Sequence, residues 1–312
     1  CLPHLIEHVP MLIGSESIEI ESGEQNKTLD ICSKVWDTIS ESKADRKSII
    51  INLGGGVVCD MGGMIASLYK RGVKFFHIPT TLLAQVDASV GGKLAVDMGG
   101  HKNQIGLFRN PDIVLVDPEF LTTLPERHWM SGLAEVLKHA LIADADYWTF
   151  LAGMDLQNDE FLQALLHKSI DIKNKIVLQD WEEQGIRKTL NFGHTVGHAL
   201  ESEALSNNED LLHGEAVAIG LAVETIISEM TNDLDADQCA IVLESLHRIF
   251  NLTPIFVLCT VSRIFRIQKV IFEQESLFFR YFSSFVLLML LVFLFFFQVS
   301  HSFFVNSYFL II

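Results

Sequence analysis

The stretch IIINLGGGVVCD, residues 49–60, decides the fold. Its first residues are short, apolar and β-branched, and three glycines follow at once, the pattern of a buried parallel strand entering a glycine-rich turn. A helix over residues 58–70 follows. The turn offers bare backbone amides at a helix N-terminus, a place for a pyrophosphate, although glycines that only make a tight turn read the same way and the motif is not G-x-G-x-x-G. Working outward, KFFHI (74–78) and IVLV (113–116) read as further strands of one sheet, each ending in a loop with proline. From about residue 121 the apolar spacing turns helical, at 126–142, 160–179, 193–206, 213–230 and 236–250, with no convincing strand between. The fold class is therefore α/β, with an α/β domain over 1–120 feeding an all-helical domain over 121–252. Ligands of such chains sit in the cleft between the halves, beyond the carboxyl ends of the strands.

At 312 residues the chain can bury a large core, and its formal charge of −16 argues against sequence-independent nucleic-acid binding, which needs a basic surface. Five scattered cysteines with no C-x-x-C pair indicate neither a disulfide framework nor a cysteine zinc site. The chain starts at Cys1, as a fragment does, and nothing before residue 20 is laid out as a signal peptide; the expectation is a cytoplasmic protein. Residues 253–312 break with everything before them: they hold 14 of the 22 Phe, no Gly and no Asp. FSSFVLLMLLVFLFFF (282–297) reads literally as a membrane anchor, with Arg280 just before it. The tail lacks amphipathic period and turn signals, so the preferred reading is that it is not part of the native fold, and a membrane partner follows only if it is genuine.

Several segments carry chemistry. DASVGGKLAV (87–96) and GGHKNQIG (99–106) place Asp87, Lys93, Lys102 and Asn103 in what read as glycine-rich loops, where the lysines suit a phosphate or simply solvent. SGLAEVLKHA (131–140) sets Glu135 and Lys138 one turn apart in an otherwise apolar helix, as an ion pair or as a metal ligand beside a substrate lysine. NFGHTVGHAL (191–200) stacks His194 and His198 on one helical face, and LLHGEAVAIGL (211–221) opens a helix on His213. Glu135, His194 and His213 together make a two-His, one-carboxylate set, the composition of a catalytic zinc site.

In order along the chain, GEQNK (23–27), GGGVVCD, YKRG (69–72), PTTLLAQVDASVGGK (79–93), HKNQIGLF (101–108), GLAEVLKH (132–139), RKTLNFGHTVGHALE (187–201) and HGEAVAIG (213–220) resemble the 3-dehydroquinate synthases, members of the sugar phosphate cyclases. The resemblance implies a Rossmann-like NAD-binding domain followed by a helical metal and substrate domain. It assigns the metal, Zn2+ or possibly Co2+, to Glu135, His194 and His213, and leaves His198 as a phosphate and proton-relay residue. NAD would meet Glu24, Lys27, Gly54, Gly55, Gly56, Asp60, Thr80 and Thr81, with Lys102 between cofactor and substrate. Asp87, Lys93, Asn103, Lys138, Lys173, Arg187 and Asn191 would hold the sugar phosphate, Lys173 and Arg187 at its carboxylate. Arg71 would reach the phosphate of a neighbouring subunit, which implies a homodimer.

The implied reaction turns 3-deoxy-D-arabino-heptulosonate 7-phosphate into 3-dehydroquinate and phosphate, a step of aromatic amino acid biosynthesis by the shikimate route, with no net redox change. Its order would be oxidation of a ring hydroxyl, elimination of phosphate, return of the hydride, ring opening and aldol closure. The resemblance omits a portion that in relatives precedes residue 1, and stops near residue 252 before a late phosphate-binding lysine. Rival readings are a cyclase acting on another sugar phosphate (2-epi-5-epi-valiolone synthase-like), a metal-dependent polyol dehydrogenase, and an inactive remnant tethered by its tail.

Overall fold

The computed structural model describes residues 1–252 except residues 100, 154–158, 208 and 232. The apolar tail at 253–312, and with it the anchor reading, lies outside the described residues. Helix α1 (Leu2–His8) and helix α2 (Leu29–Glu41) lead into strand β1 (Ile49–Gly54), helix α3 (Gly56–Leu68) and strand β2 (Lys74–Pro79). Strands β3 (Lys93–Met98), β4 (His101–Phe108) and β5 (Ile113–Val114) follow. Strands β1, β2 and β5 form one parallel sheet in the order β1-β2-β5, with Ile49 opposite Lys74, Gly54 opposite Pro79 and Phe76 opposite Ile113. The β-branched run at 49–51 enters this sheet because parallel strands are covered on both faces. Helix α3 covers one: Met61, Met64, Ile65 and Ala66 pack with Phe75, Leu94 and Val96 into the main core of this region. A smaller cluster of Leu5, Ile78 and Phe120 adjoins α1.

The segments at 87–96 and 99–106 are not the glycine-rich loops expected. A turn of π-helix (Ala84–Ala88) precedes an antiparallel hairpin of β3 and β4, with Lys93 opposite Phe108 and Val96 opposite Ile105. The alternation lies between the glycines: Leu94 and Val96 are buried while Lys93 is exposed, a period of two that the flanking Gly91, Gly92 and Gly99 hide.

Helices α4 (Glu126–Ala143), α5 (Ala145–Ala152), α6 (Asp159–Gln179), α7 (His194–Ser206), α8 (His213–Met230) and α9 (Ala236–Phe250) complete the chain. All but α5 lie where the spacing predicts them. Helix α5 is short and starts directly after α4, where Asp144 turns the chain by accepting the Tyr147 N–H at 2.9 Å. The chain forms two compact units, Cys1–Leu221 and a second from Ala222. The first contains the sheet, the hairpin and the helices through the start of α8. In the second, α9 is capped by Asp235, and its Cys239 thiol lies 3.9 Å from the Thr225 carbonyl. The four described cysteines are free thiols. Among the described residues no helix is long and apolar enough to cross a membrane.

Candidate active site

Three helices deliver the expected ligands to one point. Glu135 comes from the buried middle of α4, His194 is the first residue of α7 and His213 the first of α8. Two close backbone approaches fix them. A Cβ on Gly214 would stand 1.9 Å from the Ser131 carbonyl oxygen, one turn before Glu135, and a Cβ on Gly220 would stand 1.8 Å from the Gly193 carbonyl oxygen, beside His194. Only glycine lets α8 come this near to both neighbours, and the Ser131 hydroxyl accepts the Gly214 N–H at 3.0 Å.

The Nε2 atoms of His194 and His213 each lie 3.4 Å from Glu135 Oε1. That oxygen is buried and has no hydrogen-bond partner, whereas Oε2 takes the Lys138 ammonium. Glu135 is thus both the ion pair and the candidate ligand that its sequence left open. The His194 Nδ1 faces the Phe192 carbonyl at 3.3 Å, and the His213 Nδ1 faces Glu201 Oε2 at 3.2 Å. Both acceptors can only accept, so both rings carry hydrogen on Nδ1 and turn Nε2 inward. His198 stands beside the set, its ring 5.2 Å from that of His194 and 6.2 Å from that of His213.

The charges are strongly perturbed, as at functional sites generally. Burial, the largest influence, would raise the Glu135 carboxyl, but Lys138 together with His194 and His213 holds the group well below the usual carboxylate range. Burial pushes His194 down to about 4, so it is neutral. For His213 burial works in the same direction, yet the carboxylates of Glu135 and Glu201 overcome it and push the ring up to about 10. A divalent ion between these three groups would replace that one excess proton.

A second polar cluster adjoins the first. Lys173, on α6, donates to Asp87 Oδ1 at 2.8 Å and also to the Asp87 carbonyl, while Lys138 lies 3.9 Å from the same carboxylate. His139 Nε2 approaches Asp87 at 3.4 Å, and its Nδ1 is 2.7 Å from the Ser169 hydroxyl. Lys93 and Asn191 also converge, both on Glu183, at 2.5 and 3.2 Å. The Arg187 guanidinium donates to the Gly91 and Trp181 carbonyls at 2.8 and 2.6 Å, and its Nε is without a partner. It is a buried brace for the Gly91 turn as the structure stands.

Toward the sheet, β1 ends at Gly54, Gly55 follows it, and α3 begins at Gly56 with no side-chain cap. A Cβ on Gly55 would stand 3.2 Å from Thr81, and the Thr80 N–H closes the turn on the Gly54 carbonyl at 3.0 Å. Lys27 donates to Asp60 at 2.6 Å and to Asn103 at 2.7 Å, which brings Asn103 beside two residues of the expected cofactor set. Lys102 bridges Glu201 at 2.8 Å and Glu24 at 3.9 Å. Arg71 is not brought to the cluster: with Asp45, Arg46 and Lys70 it lines a surface recess of about 340 Å3.

Sequence reasoning gave no role to Glu201, Glu183 or His139. Glu201 was legible in principle, since it lies seven residues after His194 on the same helical face. Glu183 sits in an irregular segment at φ +60° and carries no such signal.

Residues 17–131 match the family model "3-dehydroquinate synthase N-terminal" and residues 132–258 match "3-dehydroquinate synthase C-terminal". A 3-dehydroquinate synthase of Sulfurovum sp. (strain NBC37-1) is 44% identical over 248 residues, 78% of this chain and 69% of that protein. One from Parabacteroides distasonis is 41% identical over 73% of this chain and 65% of its own length. The chain thus spans about two thirds of these relatives. Among solved structures, 2-epi-5-epi-valiolone synthase from Streptomyces hygroscopicus subsp. jinggangensis 5008, with NAD+ and Zn2+ bound, has a TM-score of 0.71 at 28% identity, over 85% of this chain and 78% of that one. With both halves of the family matched in order across one continuous span, and three helices holding the expected ligand set, the chain belongs to the 3-dehydroquinate synthase family.

Proposed function

We propose that the chain is a 3-dehydroquinate synthase, an NAD- and metal-dependent lyase that converts 3-deoxy-D-arabino-heptulosonate 7-phosphate to 3-dehydroquinate and phosphate. The observation that carries this reading is the buried, partnerless Glu135 Oε1, 3.4 Å from two inward-facing Nε2 atoms and next to the Asp87–Lys138–Lys173 cluster. A buried carboxylate oxygen that makes no hydrogen bond suits a cation, and two histidines with one carboxylate leave a position open for a substrate oxygen. The uncapped glycine turn before α3 suits the NAD pyrophosphate.

When bound, zinc would supply Lewis-acid polarisation of a ring hydroxyl and NAD a reversible hydride acceptor. The protein residues supply the rest. Glu135, His194 and His213 hold the metal; Glu24, Lys27, Gly54, Gly55, Gly56, Asp60, Thr80 and Thr81 hold the cofactor. Lys138 and Lys173, kept together by Asp87, place two cations beside the metal site and orient the sugar hydroxyls and carboxylate. Burial lowers the Lys173 pKa, which eases proton exchange at its Nζ. Lys93 and Asn191 take the leaving phosphate once its charge displaces the Glu183 carboxylate they now share. His198, whose ring lies 5.2 Å from that of His194, takes the proton-relay role in this reading. Arg187 reaches the substrate carboxylate only by giving up a carbonyl, so it serves first to hold the turn that carries the site. The reading also includes a cytoplasmic homodimer in which Arg71 serves the partner's site, with the NAD-binding work in residues 1–120.

The test is phosphate release by the NAD- and zinc-loaded chain from the heptulosonate phosphate against sedoheptulose 7-phosphate, beside Glu135→Ala. Release only from the carboxylated sugar, lost in the variant, supports the reading. Release only from the sugar without a carboxylate would move the chain to another cyclase of the same fold.

A further inference from the structure

We propose that Glu201 is a positioning residue for the metal centre, fixing the ring of His213 so that Nε2 faces the ion, and that the same carboxylate ties this ligand to the β3–β4 hairpin through Lys102. The inference rests on the proposed metal site. Glu201 is 5% exposed, on α7, and its two oxygens are divided: Oε2 faces His213 Nδ1 at 3.2 Å, and Oε1 accepts from Lys102 Nζ at 2.8 Å. A carboxylate has no hydrogen to give, so the contact with His213 requires Nδ1–H and leaves Nε2 as the ligating atom.

The two ligand histidines differ here. His194 is oriented by the Phe192 backbone carbonyl, which every sequence supplies; His213 is oriented by a side chain, which the sequence had to provide. One face of α7 therefore carries a ligand, His194, and the support for a ligand on α8. The anionic acceptor also makes the imidazole a stronger donor to the metal, an effect that outer carboxylates exert on zinc histidines in general. Lys102 balances the other oxygen and reaches toward Glu24, which belongs to the proposed cofactor set. Metal seating and the position of Lys102 thus share one carboxylate.

The experiment is a Co2+ titration of the full chain, read by the ligand-field spectrum and by competition with a chromophoric chelator, without turnover. Glu201→Gln keeps the shape and an acceptor oxygen but removes the charge, and is expected to weaken Co2+ binding by about 10- to 100-fold and to alter the spectrum. An unchanged affinity and spectrum would overturn the proposal. A measurement without substitution guards against misfolding of the variant: nitrogen–proton correlation of histidine-labelled, zinc-loaded protein should show His213 protonated at Nδ1 and metal-bound at Nε2. The reverse assignment overturns it. Loss of Co2+ uptake in Glu135→Ala alongside an unaffected Glu201→Gln would sink this inference and leave the proposed function standing; no uptake by the unsubstituted chain would sink both.

Discussion

Substituting Gly214 by alanine should dismantle the metal site through one methyl group. The added Cβ would lie 1.9 Å from the Ser131 carbonyl oxygen and 2.5 Å from the Ser131 carbonyl carbon, backbone atoms that cannot rotate away. Carbon and oxygen settle at about 3.3 Å, so α8 and α4 must part by about 1.4 Å. Metal–ligand distances tolerate only about 0.2 Å. His213, adjacent to the substituted position, would leave the coordination shell while Glu135 stays with α4. Overpacking of this kind costs about 1–3 kcal/mol, a fall in Tm of roughly 2–12 °C for a domain of this size. The assay is thermal unfolding together with Zn2+ affinity by chelator competition, with Gly153→Ala as the control. A Cβ at Gly153 would meet its nearest atom, the Thr149 carbonyl oxygen, at an ordinary 3.4 Å. Gly214→Ala is expected to lose at least tenfold in affinity, against no loss in the control. Normal affinity and Tm in Gly214→Ala would refute the claim that this close approach sets the site.

Further outcomes are expected elsewhere. Burial holds His77 at about 4 against its ordinary 6.5, so the unfolded chain binds the extra proton between those values and stability falls as pH drops through that window, by about 3 kcal/mol in all. His77→Gln should flatten that part of a denaturant-midpoint against pH curve, and an unaltered slope would contradict the assignment. Arg187→Lys keeps the charge but cannot reach the Gly91 and Trp181 carbonyls together. It should lower Tm as well as raise KM; a pure KM effect would mean that the guanidinium serves the substrate alone.

The parts of the fold legible in the sequence are those with an unbroken period. IIINL needs covering on both faces, and the helical spacing of 126–142 and 213–230 gives α4 and α8 nearly to the residue. The hairpin was hidden because its two-residue alternation is short and bracketed by glycines that also signal loops. Helix α5 was hidden because Asp144 ends one helix and caps the next without a gap. At the site, the ligand set could be read from residue types, and the choice of His194 over His198 came from the resemblance. Glu201, Glu183 and the carbonyl grip of Arg187 depend on which residues from distant segments meet, and local pattern carries no information about that.

In the proposed reaction NAD acts as a catalyst and not as a reagent. Phosphate release and nicotinamide absorbance should be followed together in one reaction, with heptulosonate phosphate in large excess over NAD. Many phosphates released per NAD with no net NADH, and no release after chelation of the metal, is the result expected. NADH accumulating in step with substrate consumed, or no phosphate from a folded chain that binds both NAD and zinc, would rule out the proposed function.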